Sequence, residues 1–132
     1  MSNYGMSCTL STNDLESAEH EVIEALKEEG FGVLTEIDVT ATLKKKIDVD
    51  FRPYKILGTC NPNLAHRALN IEPEVGLLLP CNVVLQQVES KIEVSILDPL
   101  QMANIIPGDE MKSLMQEVQE KLKRVISKIA GG

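Results

Sequence analysis

Seven residues between Arg52 and Cys81 carry the side chains that chemistry needs: Arg52, Lys55, Cys60, Asn61, His66, Arg67 and Cys81. Cys60 directly precedes Asn61-Pro62. That pair starts helices, because Asn caps free N–H groups and Pro loses nothing at the first helical position. A thiol there meets the positive end of the helix dipole, which favours anions and enriches thiolate. Arg52, Lys55 and Arg67 would add charge if they converged on it. Two functions follow. One is a pocket for a small anionic ligand, lined by the seven residues. The other is a thiol-dependent enzyme or sulfur carrier, with Cys60 as nucleophile and His66 as its base. The plainer readings are a buried structural Cys60 and a hydrogen-bonding His66 on the side of a helix. Whether the chain is an enzyme stays open.

Cys60, His66 and Cys81 are also the set that would take zinc, with one position open. They form no Cys-x-x-Cys pattern and no fourth ligand accompanies them, so no metal is assigned. No Ser/His/Asp set, glycine-rich phosphate loop or paired carboxylates occur either.

Composition narrows the choice. The chain has 132 residues, the size of one domain spanning 1–132. A hydrophobic fraction of 43% provides a core and excludes disorder. Two Phe, two Tyr and no Trp leave no stacking platform for single-stranded nucleic acid. The net charge of −7 repels phosphate backbones, so no nucleic-acid partner is expected. The charge is uneven: residues 41–69 hold six bases and two acids, net +4, whereas the remainder holds seven and eighteen, net −11. This supports a local anion pocket on an acidic body, although two solvated faces explain it as well. Three widely spaced cysteines imply no disulfide framework. The start MSNYGMSCTL lacks the basic and apolar regions of a leader, and the apolar run from Val75 to Leu79 is too short for a bilayer. A cytoplasmic protein with no membrane partner is expected.

The elements that must position these residues follow from periodicity. Tyr4 to Leu10 alternates as a strand, with Cys8 inward. Ser11 to Asp14 supplies caps for a helix whose stripe is Leu15, Ala18, Val22, Ala25 and Leu26, with His20 opposite. Gly30 stops it. A strand over Phe31 to Ile37 leads to a short helix capped by Asp38 and ending at Ile47, then a loop. Tyr54 to Thr59 is a strand, with Gly58 permitting close approach. The Asn61-capped helix runs to Asn70. Leu78 to Val88 and Lys91 to Leu97 form a hairpin around Glu89-Ser90. Asp98-Pro99 ends it, and Pro107-Gly108-Asp109 opens a last helix with the stripe Met111, Met115, Val118, Leu122, Val125 and Ile129. The fold class is α+β, an antiparallel or mixed sheet with helices on one face. The opposite face needs cover, so a homodimer formed through the sheet is expected.

The strings DVTATLKKKIDVDFRPYKILGTCNPNLAHRAL, EPEVGLLLPCNVVL and ILDP resemble the family catalogued as domain of unknown function 302. The resemblance runs from about Tyr4 to Ile129. It implies a compact α+β domain with a topology like that of the TATA-box-binding protein. It implies no DNA binding and no particular activity.

Overall fold

The computed structural model describes residues 4–131; the first three residues of the stretch searched for a leader lie outside it. Its elements, in chain order, are β1 (Gly5–Leu10), α1 (Leu15–Glu28), β2 (Gly32–Asp38), α2 (Val39–Ile47), β3 (Tyr54–Cys60), α3 (Pro62–Ile71), a 3-10 segment (Pro73–Leu78), β4 (Cys81–Val88), β5 (Lys91–Leu97), α4 (Leu100–Ile105) and α5 (Asp109–Gly131). One sheet holds all five strands in the order β1-β5-β4-β3-β2, and every neighbouring pair is antiparallel. The fold is α+β, as expected.

Strand alternation decides which side chains enter the core. Leu57, Val83, Leu85, Ile92, Val94 and Ile96 are fully buried beneath the helices. Each such side chain contributes about 1.5–3 kcal/mol relative to an exposed one. Ile56, Val84, Gln86 and Ser95, one position out of phase, are only half-buried on the other face. The stripe on α5 is buried along its whole length, and Leu114 joins it. Ala18, Val22, Ala25 and Leu26 do the same for α1. Helix α5 packs against α1, α3 and β1.

The caps are those the sequence implies. Asp14 accepts from the Glu16 N–H at 3.2 Å, and Asp38 accepts from the Ala41 N–H at 2.9 Å. Gly30, at φ +87°, ends α1 in a conformation that a side chain would strain. Gly58 lies close under Thr35 and Pro80, where a β-carbon would collide.

Two places differ from expectation by more than a residue. β4 starts at Cys81 rather than Leu78, because Pro73–Leu78 winds into a 3-10 segment capped by Glu72, whose carboxylate accepts from the Glu74 N–H at 2.9 Å. Asp98-Pro99 does end β5, but it also starts α4: Asp98 accepts from the Leu100 N–H at 3.0 Å. α4 places Met102 in the core, 3% exposed. Of the two pairings expected for the sheet, antiparallel or mixed, the described residues form the antiparallel one throughout.

Candidate functional site

The route from β3 through α3 and the 3-10 segment to β4 creates a cavity. β3 ends at Cys60 and β4 begins at Cys81 beside it, because Thr59 and Cys81 are ladder partners. α3 rises from this end of the sheet and packs on α5. Its Ala65 and Ala68 are too small to fill the space between them. A cavity of about 340 Å³ remains, lined by Phe31, Leu34, Thr59, Cys60, Asn61, Leu64, Ala65, Ala68, Leu69, Leu79, Pro80, Cys81, Met102, Met115 and Val118. Leu34 and Leu69, 65% and 42% exposed, give it an apolar mouth.

The polar groups of the wall have structural partners. The Thr59 hydroxyl, 1% exposed, donates to the Cys81 carbonyl at 2.9 Å. Asn61 caps α3 by accepting from the Leu64 N–H at 3.3 Å, and its amide donates to the Glu29 carbonyl at 3.2 Å. That second bond ties the start of α3 to the end of α1. The remaining heteroatoms are sulfurs: the thiols of Cys60 and Cys81 and the thioethers of Met102 and Met115. Burial pushes the Cys81 thiol up to about 11, and the nearby Cys60 adds to the effect. Cys8, remote on β1, is raised too, by burial and by Glu21.

The bases expected at this site are elsewhere. The Arg52 guanidinium stacks on the Phe51 ring, 4.4 Å from its centroid. Lys55 points to α1 and donates to Glu19 at 2.7 Å and Glu36 at 3.0 Å. Its side chain is 23% exposed and that of Glu19 15%, so this ion pair is half sheltered from solvent. The Glu19 bond is the main cause holding the lysine above its ordinary range, with Glu36 adding to it. Arg67 reaches Glu117 on α5 at 2.9 Å. His66 is exposed, with its Nε2 3.4 Å from the Asn70 amide. Of the seven expected site residues, Cys60, Asn61 and Cys81 line the cavity and Arg52, Lys55, His66 and Arg67 do not. The zinc set therefore does not assemble: among the described residues no three His, Cys, Asp or Glu side chains gather to hold a metal. His66 misses because successive helical residues turn by about 100°. Leu64, Ala65 and Ala68 take the cavity side of α3.

Comparison with known proteins identifies the family. Residues 6–129 match the family described as Domain of unknown function DUF302. The chain belongs to this family. The DUF302 chain is also similar to a solved structure, the crystal structure of the uncharacterized conserved protein DUF302 from Bacillus stearothermophilus. The two are 29% identical, with a TM-score of 0.88 over 96% of this chain and 98% of the other. No curated protein matches the chain.

The sequence reading of this DUF302 domain missed the apolar wall. Met115 and Val118 lie on the α5 stripe and carry only a core signal. The available clue was two alanines, Ala65 and Ala68, on a helix face otherwise built from Leu64 and Ile71. Among the described residues, no helix is long and apolar enough to cross a membrane.

Proposed function

We propose that this DUF302 domain binds a small, largely apolar molecule in the cavity between β3, α3 and α5. One observation carries the reading: a cavity of about 340 Å³, open through Leu34 and Leu69, has no charged side chain in its wall. An engineered cavity of about 150 Å³ holds one benzene, so the space here suits a molecule of about two rings. It also falls within the usual size range of ligand sites. An anionic ligand draws less support. Arg67 and Lys55 are paired with carboxylates and Arg52 lies on Phe51, so none offers charge to the cavity.

The test uses N-phenyl-1-naphthylamine, a neutral probe whose fluorescence rises in apolar surroundings. Saturable binding to one site per chain is expected. Leu69→Lys, at the mouth, should weaken it about tenfold, in line with the burial energy of one leucine. Ala65→Phe, which fills the space, should abolish it, and Arg67→Ala should leave it unchanged. Unaltered binding in Ala65→Phe removes the proposal.

Thiol chemistry is the second reading, favoured by the placement of Cys60 and Cys81 in the same wall. The partly buried Cys60 would act as nucleophile or sulfur carrier. A persulfide donor should then add one sulfur to Cys60, seen by peptide mass spectrometry. Addition to Cys8 alone rejects this reading.

A further inference from the structure

Given an apolar occupant of the cavity, the reading on which this inference rests, we propose that the molecule is aromatic. It is a fused two-ring system, preferred to a saturated one of the same size by Phe31, Met102 and Met115 of the wall.

Most of the wall takes any apolar surface. Leu64, Ala65, Ala68 and Val118 offer only hydrocarbon, which attracts a flat ring and a saturated one through the same burial of area. Three wall residues discriminate. Phe31 stands between α1 and β2, Met102 on α4 and Met115 on α5, so they enter the wall from three parts of the chain. All three are buried, so packing holds them in place. A thioether sulfur is polarizable and favours the edge of an aromatic ring, at about 5 Å. A phenyl ring favours a second ring, offset-stacked or edge to face, because each ring has a negative face and a positive edge. A saturated ring has neither. Each contact is made singly, between one wall residue and the ligand, and needs no contact among the wall residues themselves.

The polar groups of the wall point the same way. The Thr59 hydroxyl donates to the Cys81 carbonyl, and the Asn61 amide is bonded at both ends, to Leu64 and Glu29. Among the described residues, no buried side-chain nitrogen or oxygen is left without a partner. Burial keeps the Cys81 thiol protonated at neutral pH, so it adds no charge. A hydroxyl or carbonyl on the inner part of a ligand would therefore lose its water without replacement. A polar substituent fits only at the mouth, beside Leu34 and Leu69.

The experiment is a competition. Naphthalene and cis-decalin, an aromatic and a saturated pair of fused rings, each displace N-phenyl-1-naphthylamine from the wild-type chain and its variants. The two differ in their affinity for water, so the deciding quantity is the ratio of their dissociation constants, compared between chains. The near-isosteric double change Met102→Leu, Met115→Leu should weaken naphthalene about fivefold, the scale of one or two sulfur–aromatic contacts, and leave decalin within about twofold. Phe31→Leu should shift the ratio the same way. Met111→Leu, buried on α5 but outside the wall, should leave it unchanged. If the double variant fails to fold, either single methionine change supplies the ratio, with a shift of about twofold. An unchanged ratio in the methionine variants, or an equal shift in Met111→Leu, would overturn the inference. Probe binding that Ala65→Phe abolishes would then leave the binding reading standing. No probe binding to the wild-type chain removes both.

Discussion

Gly30→Ala, Asn61→Ala and the double variant form a thermodynamic cycle that tests how the frame of the cavity is held. Asn61 bonds in two directions, to the Leu64 N–H at 3.3 Å and to the Glu29 carbonyl at 3.2 Å. Loss of the helix cap costs about 1 kcal/mol. Loss of the second bond costs about 1 kcal/mol more. Asn61→Ala should therefore destabilise by about 2 kcal/mol. Gly30 has φ +87°, and an alanine there costs about 1–2 kcal/mol from backbone strain alone. Its new β-carbon would also stand 2.8 Å from the Asn61 amide nitrogen. The amide must then move and give up one or both of its bonds. Gly30→Ala should thus cost about 2–4 kcal/mol in the wild-type background and only the strain, about 1–2 kcal/mol, beside Ala at 61.

The double variant should accordingly be more stable than additivity predicts, by about 1–2 kcal/mol. Urea unfolding followed by circular dichroism measures it. With a slope of about 2 kcal/mol per molar urea, Asn61→Ala moves the midpoint down by about 1 M. The slope itself should not change, since none of the variants alters the surface exposed on unfolding. Additivity within about 0.5 kcal/mol would refute the reasoning, because independent sites behave that way. It would mean that Gly30 is required for its backbone angle and not for the approach of Asn61.

Three further outcomes are expected. Iodoacetamide at neutral pH should label Cys60 before Cys8 and Cys81, since burial holds both of the latter thiols up; mass spectrometry that finds Cys81 labelled first contradicts this. Lys55, held above its ordinary value of 10.5 mainly by Glu19, contributes stability that is complete below that pH and is lost as pH rises through the higher folded value. Lys55→Met should remove this alkaline fall in urea midpoint, and an identical fall in both proteins would assign it to other groups. Light scattering at micromolar protein tests the homodimer expected through the open sheet face: a doubled mass that Val84→Lys returns to monomer supports it, and a wild-type monomer rejects it.

Signals that act over one or two turns of chain were legible in the sequence. The stripe from Met111 to Ile129, the caps at Asp14, Asp38 and Asn61, and the stop at Gly30 depend on neighbours within a few residues. Each is found in the structure. The Ile92, Val94, Ile96 set enters the core because period-2 alternation leaves each strand one inward face. Short elements were not legible. Asp98-Pro99 read as the end of a strand, yet Pro fits the start of a helical segment: Pro73 follows the Glu72 cap, and Pro99 opens α4, where Asp98 accepts from the Leu100 N–H. A segment of six residues is too short to show a period, so its cap is the only sign of it.

The site was half legible, and the reason is geometric. Charges close in sequence suggested convergence on Cys60, but β3 is extended. Lys55 and Cys60 stand five residues apart on it, about 16 Å along the strand. Arg52 lies beyond the far end. No pocket of this size gathers both ends of such a strand. The residues that do converge come from places distant in sequence: Phe31, Cys60, Cys81, Met102 and Val118 meet because helices α3 and α5 cross over the junction of β3 and β4. The basic segment has another role in the fold. Lys55 joins the sheet to Glu19 on α1, and Arg67 joins α3 to Glu117 on α5. Lys44 pairs with Asp48 and Asp50 inside the segment itself, and none of its bases lines the cavity, which is how an acidic chain with a basic middle can still leave its cavity uncharged. The chemistry open to that cavity is therefore the chemistry of sulfur and of apolar surface, the two things its wall presents.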